Sequence, residues 1–332
     1  MNLLNAFTDT EIAEAINIIP NTYGRLQELN LFPTRAVTTR NVAVEEQNGS
    51  LGLIPTEAFG GPGNVGKDGK RKVRTFQIPK IIQEGHANPS EVDGIRAMGG
   101  NIRRNLGVLL NEKLSTVRAK HDITLEHLRM GALKGQILDA DGSSVIYNLY
   151  TEFGITKKTI NFALDVAGTD VRAKCLELAR HIEDNLMGER MTGKHALVSE
   201  EFFDALTSHA KVEKAYLNYA EAAQRIGGDV RSGFTFGGVT FEEYRGQATG
   251  SAGTAVRFIA SGKGHAFPLG TMGTFRTLVA PADFNETVNT LGQVYYAKVL
   301  AAKFERGYDI HTQANVLPMC MRPGVLVELS AS

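Results

Sequence analysis

Between Phe59 and Phe76 the sequence reads FGGPGNVGKDGKRKVRTF, with five glycines and five lysines or arginines. Gly61, Gly63 and Gly66 spell the G-x-G-x-x-G of a dinucleotide turn, and Gly61 to Lys67 spell all but the last position of G-x-x-x-x-G-K-[ST]. The chemistry of such a loop is phosphate binding, in which glycines let backbone amides close on the anion and the lysine neutralises it. Two further features are needed. The glycines must open a helix, whose N-terminus supplies free amides and the positive dipole end, and a hydroxyl after the lysine must hold Mg²⁺. Here Asp68 replaces the hydroxyl, Asp68-Gly69 breaks a helix, and Val73, Thr75 and Phe76 beyond it are strand formers. No ribose-binding acid follows in a βαβ unit. A nucleotide-binding enzyme using Gly61–Lys67 is therefore the alternative reading, not the preferred one.

The other reactive residues do not converge. His121 and His127 lie six apart, off the three- or four-residue spacing that shares a helix face, so they make no metal pair. Asp139, Asp141 and Gly142 resemble the start of a calcium loop but lack its later acidic ligands, so a turn is expected there. Glu200-Glu201 and Glu242-Glu243 are adjacent pairs whose side chains diverge. Arg103-Arg104 and Lys157-Lys158 read as solvated faces. H-E-x-x-H, G-x-S-x-G and kinase signatures are absent. Cys175 and Cys320 match no metal spacing and read as buried, reduced thiols. The expectation is a non-enzyme with no catalytic, cofactor-binding or metal-binding residues.

Composition agrees. The 332 residues are 42% hydrophobic and 22% charged, enough for a large core. Lys plus Arg and Asp plus Glu each number 36, which argues against a protein built to grip nucleic acid by phosphate neutralisation. Tryptophan is absent and aromatics are 8%, so base-stacking platforms are not indicated. The N-terminus lacks a basic n-region and no apolar run approaches a membrane span, so a soluble intracellular chain without membrane contact is expected.

Periodicity supplies the elements. Residues 9–19 predict a short amphipathic helix capped by Asp9 and stopped by Pro20, and a second helix or turn precedes Pro33. With little around it to bury its apolar face, this N-terminal piece is expected to lie on something else. Runs at 35–53 and 71–82 predict two strands flanking the glycine loop, that is, a hairpin with a long tip. Residues 102–135 carry the strongest helical stripe (Leu106, Leu109, Leu110, Leu114, Val117, Leu125, Leu128, Leu133), with Arg and Lys on the other face and Gly135 ending it. A break at Asp122–Thr124 into two helices is left open. Next come a hairpin about Asp141-Gly142, a helix at 170–187 closed by Gly188, and a strand at 195–199 whose Ser199 caps a helix. FTFGGVTFEEY is an alternating hairpin about Gly237-Gly238.

Long collinear segments then carry a resemblance. TLEHLRMGALKGQILDADG, HALVSEEFFDALTSHAKV, FTFGGVTFEEYRG, GHAFPLGTMGTFRTLVAPADFNETVNTLGQVYYAK and ANVLPMCMRPGVLV resemble, in order, the phage lambda-type major capsid protein, the capsid protein E family. The likeness runs from about Arg35 to Leu329. It implies an α+β Hong Kong 97-like fold: an N-terminal arm (1–34), an E-loop hairpin (35–82), and a peripheral domain (83–193 and 295–332) with a spine helix near 102–135 and a β-hairpin at 136–150. An axial domain would occupy 194–294.

The function implied is self-assembly into the icosahedral head shell of a tailed double-stranded DNA bacteriophage, enclosing the genome. The partners implied are further copies in hexamers and pentamers, a portal, a decoration protein, and packaged DNA in non-specific proximity. With about 34 residues ahead of the E-loop, a scaffold is expected from a separate protein. Location would be the virion, with assembly in the host bacterial cytoplasm. Shells need arms that reach neighbours. The loop tip is accordingly expected to contact another subunit through Gly61, Gly63, Gly66, Lys67, Lys70, Arg71, Lys72 and Arg74. An encapsulin-like compartment shell is a second alternative. A lysine–asparagine crosslink, used by some shells of this fold, is not expected.

Overall fold

The computed structural model describes residues 24–47, 71–92, 106–217, 233–250, 253 and 255–332. A short helix, α1 (Arg25–Glu28), leads into strand β1 (Thr34–Ala36). Strands β2 (Asn41–Gln47) and β3 (Arg71–Gln77) pair antiparallel, with Val42 opposite Phe76 and Val44 opposite Arg74. The hairpin read from the sequence therefore exists, and the glycine motif lies between its two strands. Its second strand is shorter than the expected 71–82. Pro79, which cannot donate to a ladder, stands in the break before β4 (Ile81–Ala87). β4 joins another sheet.

Helix α2 (Leu106–Lys134) is one element of 29 residues, about 43 Å long, with no break at Asp122–Thr124. Residues 102–105 of the expected helix lie outside the described residues. Gly135 follows at φ 76. From Leu125 to Leu133 nearly every position is buried, Glu126 and Arg129 included. The expected basic outer face is thus corrected: Arg118 and Arg129 are 9% and 5% exposed. Beyond the helix, β5 (Gln136–Leu138) and β6 (Val145–Asn148) form the hairpin about Asp141-Gly142. The Asp141 carboxylate accepts from Ser143 N (2.9 Å), Ser144 N (2.8 Å) and Ser144 Oγ (2.5 Å). These bonds, led by that from Ser144, hold its pKa below the usual carboxylate range, so Asp141 builds the turn.

Helix α3 (Leu149–Phe153) is capped by Asn148 and closed by Gly154 at φ 67. After β7 (Lys158–Asn161), helix α4 (Val171–Asn185) starts at Asp170, whose carboxylate accepts from Ala173 N at 3.0 Å. Strand β8 (Gly193–Val198) leads to Ser199, which caps α5 (Glu200–Ser208) by accepting from Phe202 N at 3.3 Å. Strands β9 (Phe234–Phe236) and β10 (Val239–Glu243) turn through Gly237 and Gly238 at φ 60 and 83, the two left-handed residues a tight hairpin requires. Then follow β11 (Gln247–Thr249), β12 (Ala255–Arg257), β13 (Lys263–Leu269), β14 (Phe275–Val279), β15 (Tyr296–Ala301), β16 (Tyr308–Ala314), β17 (Val316–Cys320) and β18 (Val327–Ser330).

The largest sheet runs β7-β18-β13-β8-β10-β9. β15-β16-β4 and β1-β14-β17 form two three-stranded sheets. The six-stranded sheet and β1-β14-β17 cross the boundaries expected at 193/194 and 294/295. β18, expected in the peripheral piece and paired there with β7, also ladders with β13 of the axial piece, and β14 pairs with β17. One continuous core results, with Phe162, Phe202 and Phe241 meeting at centroid distances of 5.5, 6.1 and 6.4 Å.

Candidate assembly site

The loop singled out from the sequence is positioned by its root. Gly61, Gly63, Gly66, Lys67 and Lys70 lie outside the described residues, and Arg71 opens strand β3. Lys72 is exposed on that strand. Arg74 turns back onto its own chain. Its Nε donates to Glu152 O at 2.6 Å, a second nitrogen donates to Phe153 O at 3.5 Å, and its guanidinium lies 4.8 Å from the Phe153 ring centroid. Of the two basic residues with described side chains, then, one faces solvent and the other anchors the hairpin.

The anchor is more extensive than sequence reasoning found. Phe76, fully buried, meets Tyr147 edge-on at 5.4 Å and stacks against Phe153 at 6.2 Å. The Tyr147 hydroxyl accepts from Gln77 N at 2.8 Å and donates to Gln77 O at 3.0 Å, acting as an extra rung for the last residue of β3. On the other side Asp283 takes ion pairs from Arg40 (2.6 Å) and Lys80 (3.4 Å), the residues flanking the hairpin's ends. Both hydrogen-bond donors to that carboxylate, Arg40 first, hold it below its usual pKa. A residue-level signal existed only for Phe76, the apolar residue opposite Val42.

The stretch before β1 departs from the expected arm. Residues 24–33 pack on their own chain: Leu26, Leu31 and Phe32 are at most 5% exposed, and Phe32 meets Phe275 edge-on at 5.1 Å. Two buried carboxylates fasten it. Leu26 N donates to Glu126 Oε1 at 2.8 Å, and Arg25 grips Glu242 through two bonds of 2.6 and 3.1 Å. His195 Nε2 lies 3.0 Å from the same Glu242. Burial works to raise the Glu242 carboxyl, but the bonds to His195 and Arg25 outweigh it and hold it low; at Glu126 burial prevails and the carboxyl rises. Residues 1–23, including the helix expected at 9–19, lie outside the described residues.

Among the described residues, several polar groups that could do chemistry have structural roles. His121 meets Thr312 at 3.0 Å, both buried. The Thr312 hydroxyl donates to Gln83 O at 2.9 Å, so it accepts from His121, the reverse of a base activating a nucleophile. Burial lowers that imidazole to about 4. Asp122 is held by Arg118 (3.1 Å) and the Tyr295 hydroxyl (2.5 Å), with Arg118 stacked 3.7 Å from the Tyr295 ring centroid. Cys175 and Cys320 are buried thiols pushed up to about 12. Lys157 pairs with Glu328, and Lys158 with Glu177 at 2.8 Å. A groove of 500 Å³ over β4, β15 and β16 is lined by polar contacts such as the His311–Glu84 hydrogen bond (3.1 Å) and the Lys80–Asp283 ion pair. Among the described residues there is no cluster of three or more groups able to hold a metal, and no helix long and apolar enough to cross a membrane.

What the architecture offers is a fixed body with a root-anchored hairpin. The family model described as "Phage major capsid protein E" matches residues 8–331. The major capsid protein of Pseudomonas phage KPP10 is 32% identical over 346 aligned positions, covering 100% of this chain and 99% of that protein. The major capsid protein of Salmonella phage Felix O1 is 30% identical over 359 positions, covering 97% and 95%. In fold, the chain is similar to the crystal structure of a prophage capsid protein from E. coli CFT073, at TM-score 0.62, 14% identity and coverages of 96% and 97%. It is also similar to the mature capsid of bacteriophage PhiM1, at TM-score 0.54, 12% identity and coverages of 95% and 88%.

Proposed function

The chain belongs to the phage major capsid protein E family and is the structural protein of a phage head shell, and from that premise we propose how its parts build the shell. Residues 41–77 act as the E-loop, an arm aimed from a fixed root, whose tip at 61–72 contacts a neighbouring copy. Lys72 and the tip residues Gly61, Gly63, Gly66, Lys67 and Lys70 supply that contact. Arg74 instead holds the root. Helix α2 is the spine on which β4, β5 and the 24–33 stretch pack. Residues 83–193 with 295–332 form the peripheral part and 194–294 the axial part, joined through the β13–β18 and β14–β17 ladders.

The observation that carries this reading is the pairing of β2 with β3 around the glycine stretch. Lys67 stands four positions ahead of Arg71, the first residue of β3, so the chain after the motif runs into a strand and not into the long helix whose N-terminus phosphate binding needs. Neutral overall charge supports a wall that confines double-stranded DNA without gripping each phosphate. As partners we propose a separate scaffolding protein, a portal and a decoration protein, with assembly in the host bacterial cytoplasm. Family membership alone supports these.

The test is electron microscopy of the purified full chain beside a nucleotide-binding titration. Closed shells or capsomer rings, with no ATP binding, are expected; a monomer that binds ATP with micromolar affinity would overturn the reading. Gly63→Ala and Lys70→Glu should lower shell yield severalfold while leaving the circular dichroism of the unassembled chain unchanged. Wild-type shell yield from both variants would remove the tip from the interface.

A further inference from the structure

The turn joining β15 to β16 is built against its own local energetics. Ala301 pairs with Tyr308, and Ala302 N donates to Gly307 O at 3.0 Å, which leaves 303–306 as the loop. Within it Phe304 and Glu305 stand consecutively in the left-handed region, at φ 63 and 54. Glycine or asparagine takes such positions without steric cost, and a bulky side chain does not. The Phe304 side chain gains no cover in return: it is 88% exposed, with the Arg306 guanidinium 5.9 Å from its ring centroid. Leu300, on the same hairpin, is 62% exposed.

The loop is held in place from below. Val299 and Ile310 are 3% and 2% exposed. Gly307, at φ 132, sits so close to β4 that a Cβ there would fall 2.3 Å from Ala87 O. The tip is therefore an apolar knob on a fixed base, flanked by Lys303, Glu305 and Arg306.

We propose that Phe304 is an assembly anchor whose ring is buried in the surface of a second copy of this chain in the shell. The proposal rests on the shell function above. A second copy is favoured by the charges. Nucleic acid would select a purely basic rim, whereas this rim carries both signs, and a chain with 36 positive and 36 negative side chains offers both to its copies. A ring of this kind removes about 150–250 Å² from water when buried, which is why aromatic side chains dominate interface hot spots.

The test places the photo-reactive p-benzoylphenylalanine at position 304 in the full chain and irradiates assembled shells. A denaturing gel should show a band at twice the mass of the chain, and peptide mapping should join position 304 to another segment of the same sequence. Shells that form but give no crosslink, or a crosslink only to nucleic acid or another protein, would overturn the proposal while leaving the shell function standing. A second variant, Phe304→Asn, suits the left-handed turn. Its unassembled chain should melt at the wild-type temperature or above, while shell yield by sedimentation falls tenfold or more and Phe304→Leu restores part of it. Wild-type shell yield from Phe304→Asn would also overturn the proposal.

Discussion

At the scale of single residues, the buried titratable groups set how the subunit answers to pH. Burial depresses His265 to about 3 and His121 to about 4, with Lys134, Lys157 and Lys263 adding to the effect at His265, and His127 and His181 are lowered too. A histidine depressed in the fold contributes full stability above its unfolded value of about 6.5 and loses it as pH falls below. At His265 and His121 this costs about 1.4 kcal/mol per pH unit in that window. Glu126, raised by burial, works the other way, because its protonation favours the fold, and Glu242, held low, weakens only at more acid pH. The melting temperature of unassembled chain should therefore fall from pH 6.5 to 4.5, and His265→Gln should flatten the fall. An unchanged slope in that variant would show that its imidazole is already protonated in the fold. None of this was legible in the sequence. His121 stands on a helical stripe, but its partner Thr312 lies 191 positions away, and no local pattern announces such a pair.

At the scale of elements, local signals are legible in the sequence and strand partners are not. The Gly237-Gly238 turn, the Ser199 cap and the helix ending at Gly135 all follow from backbone rules that act within a few residues. What a strand pairs with depends on distant chain: the strand predicted over 71–82 runs past Pro79 into Ile81 and Ile82, yet these belong to β4, which joins β16. Helical periodicity predicts a basic outer face on α2, but it cannot show that β-strands and the 24–33 stretch also pack on this helix and bury Arg129. Gly135 joins the two levels. Its φ of 76 suits only glycine, and a Cβ there would lie 2.3 Å from the Tyr150 ring. Gly135→Ala should cost ~2–4 kcal/mol in urea unfolding, combining backbone strain with a clash that a buried ring cannot relieve. A loss below about 0.5 kcal/mol would mean that the ring moves aside freely.

At the scale of the whole molecule, the sheet order β7-β18-β13-β8-β10-β9 places β18 (Val327–Ser330) between β7 and β13 rather than at an edge. Residues from five separated stretches meet there, and the inner strand is the last of them to be made. During synthesis the ribosome must therefore pass residue 330 before the sheet can close. Until then two strand edges stay open and the core around Val327 and Leu329 is unfilled. A chain stopped after Gly324 should stay soluble only with chaperones, lose its cooperative melting transition and fail to enter shells when co-expressed with full-length chain. Incorporation at the full-length ratio would contradict this. The position of one four-residue strand thus works as proofreading: a prematurely terminated product is incompetent before it can reach a growing lattice, and the shell is spared a defective brick.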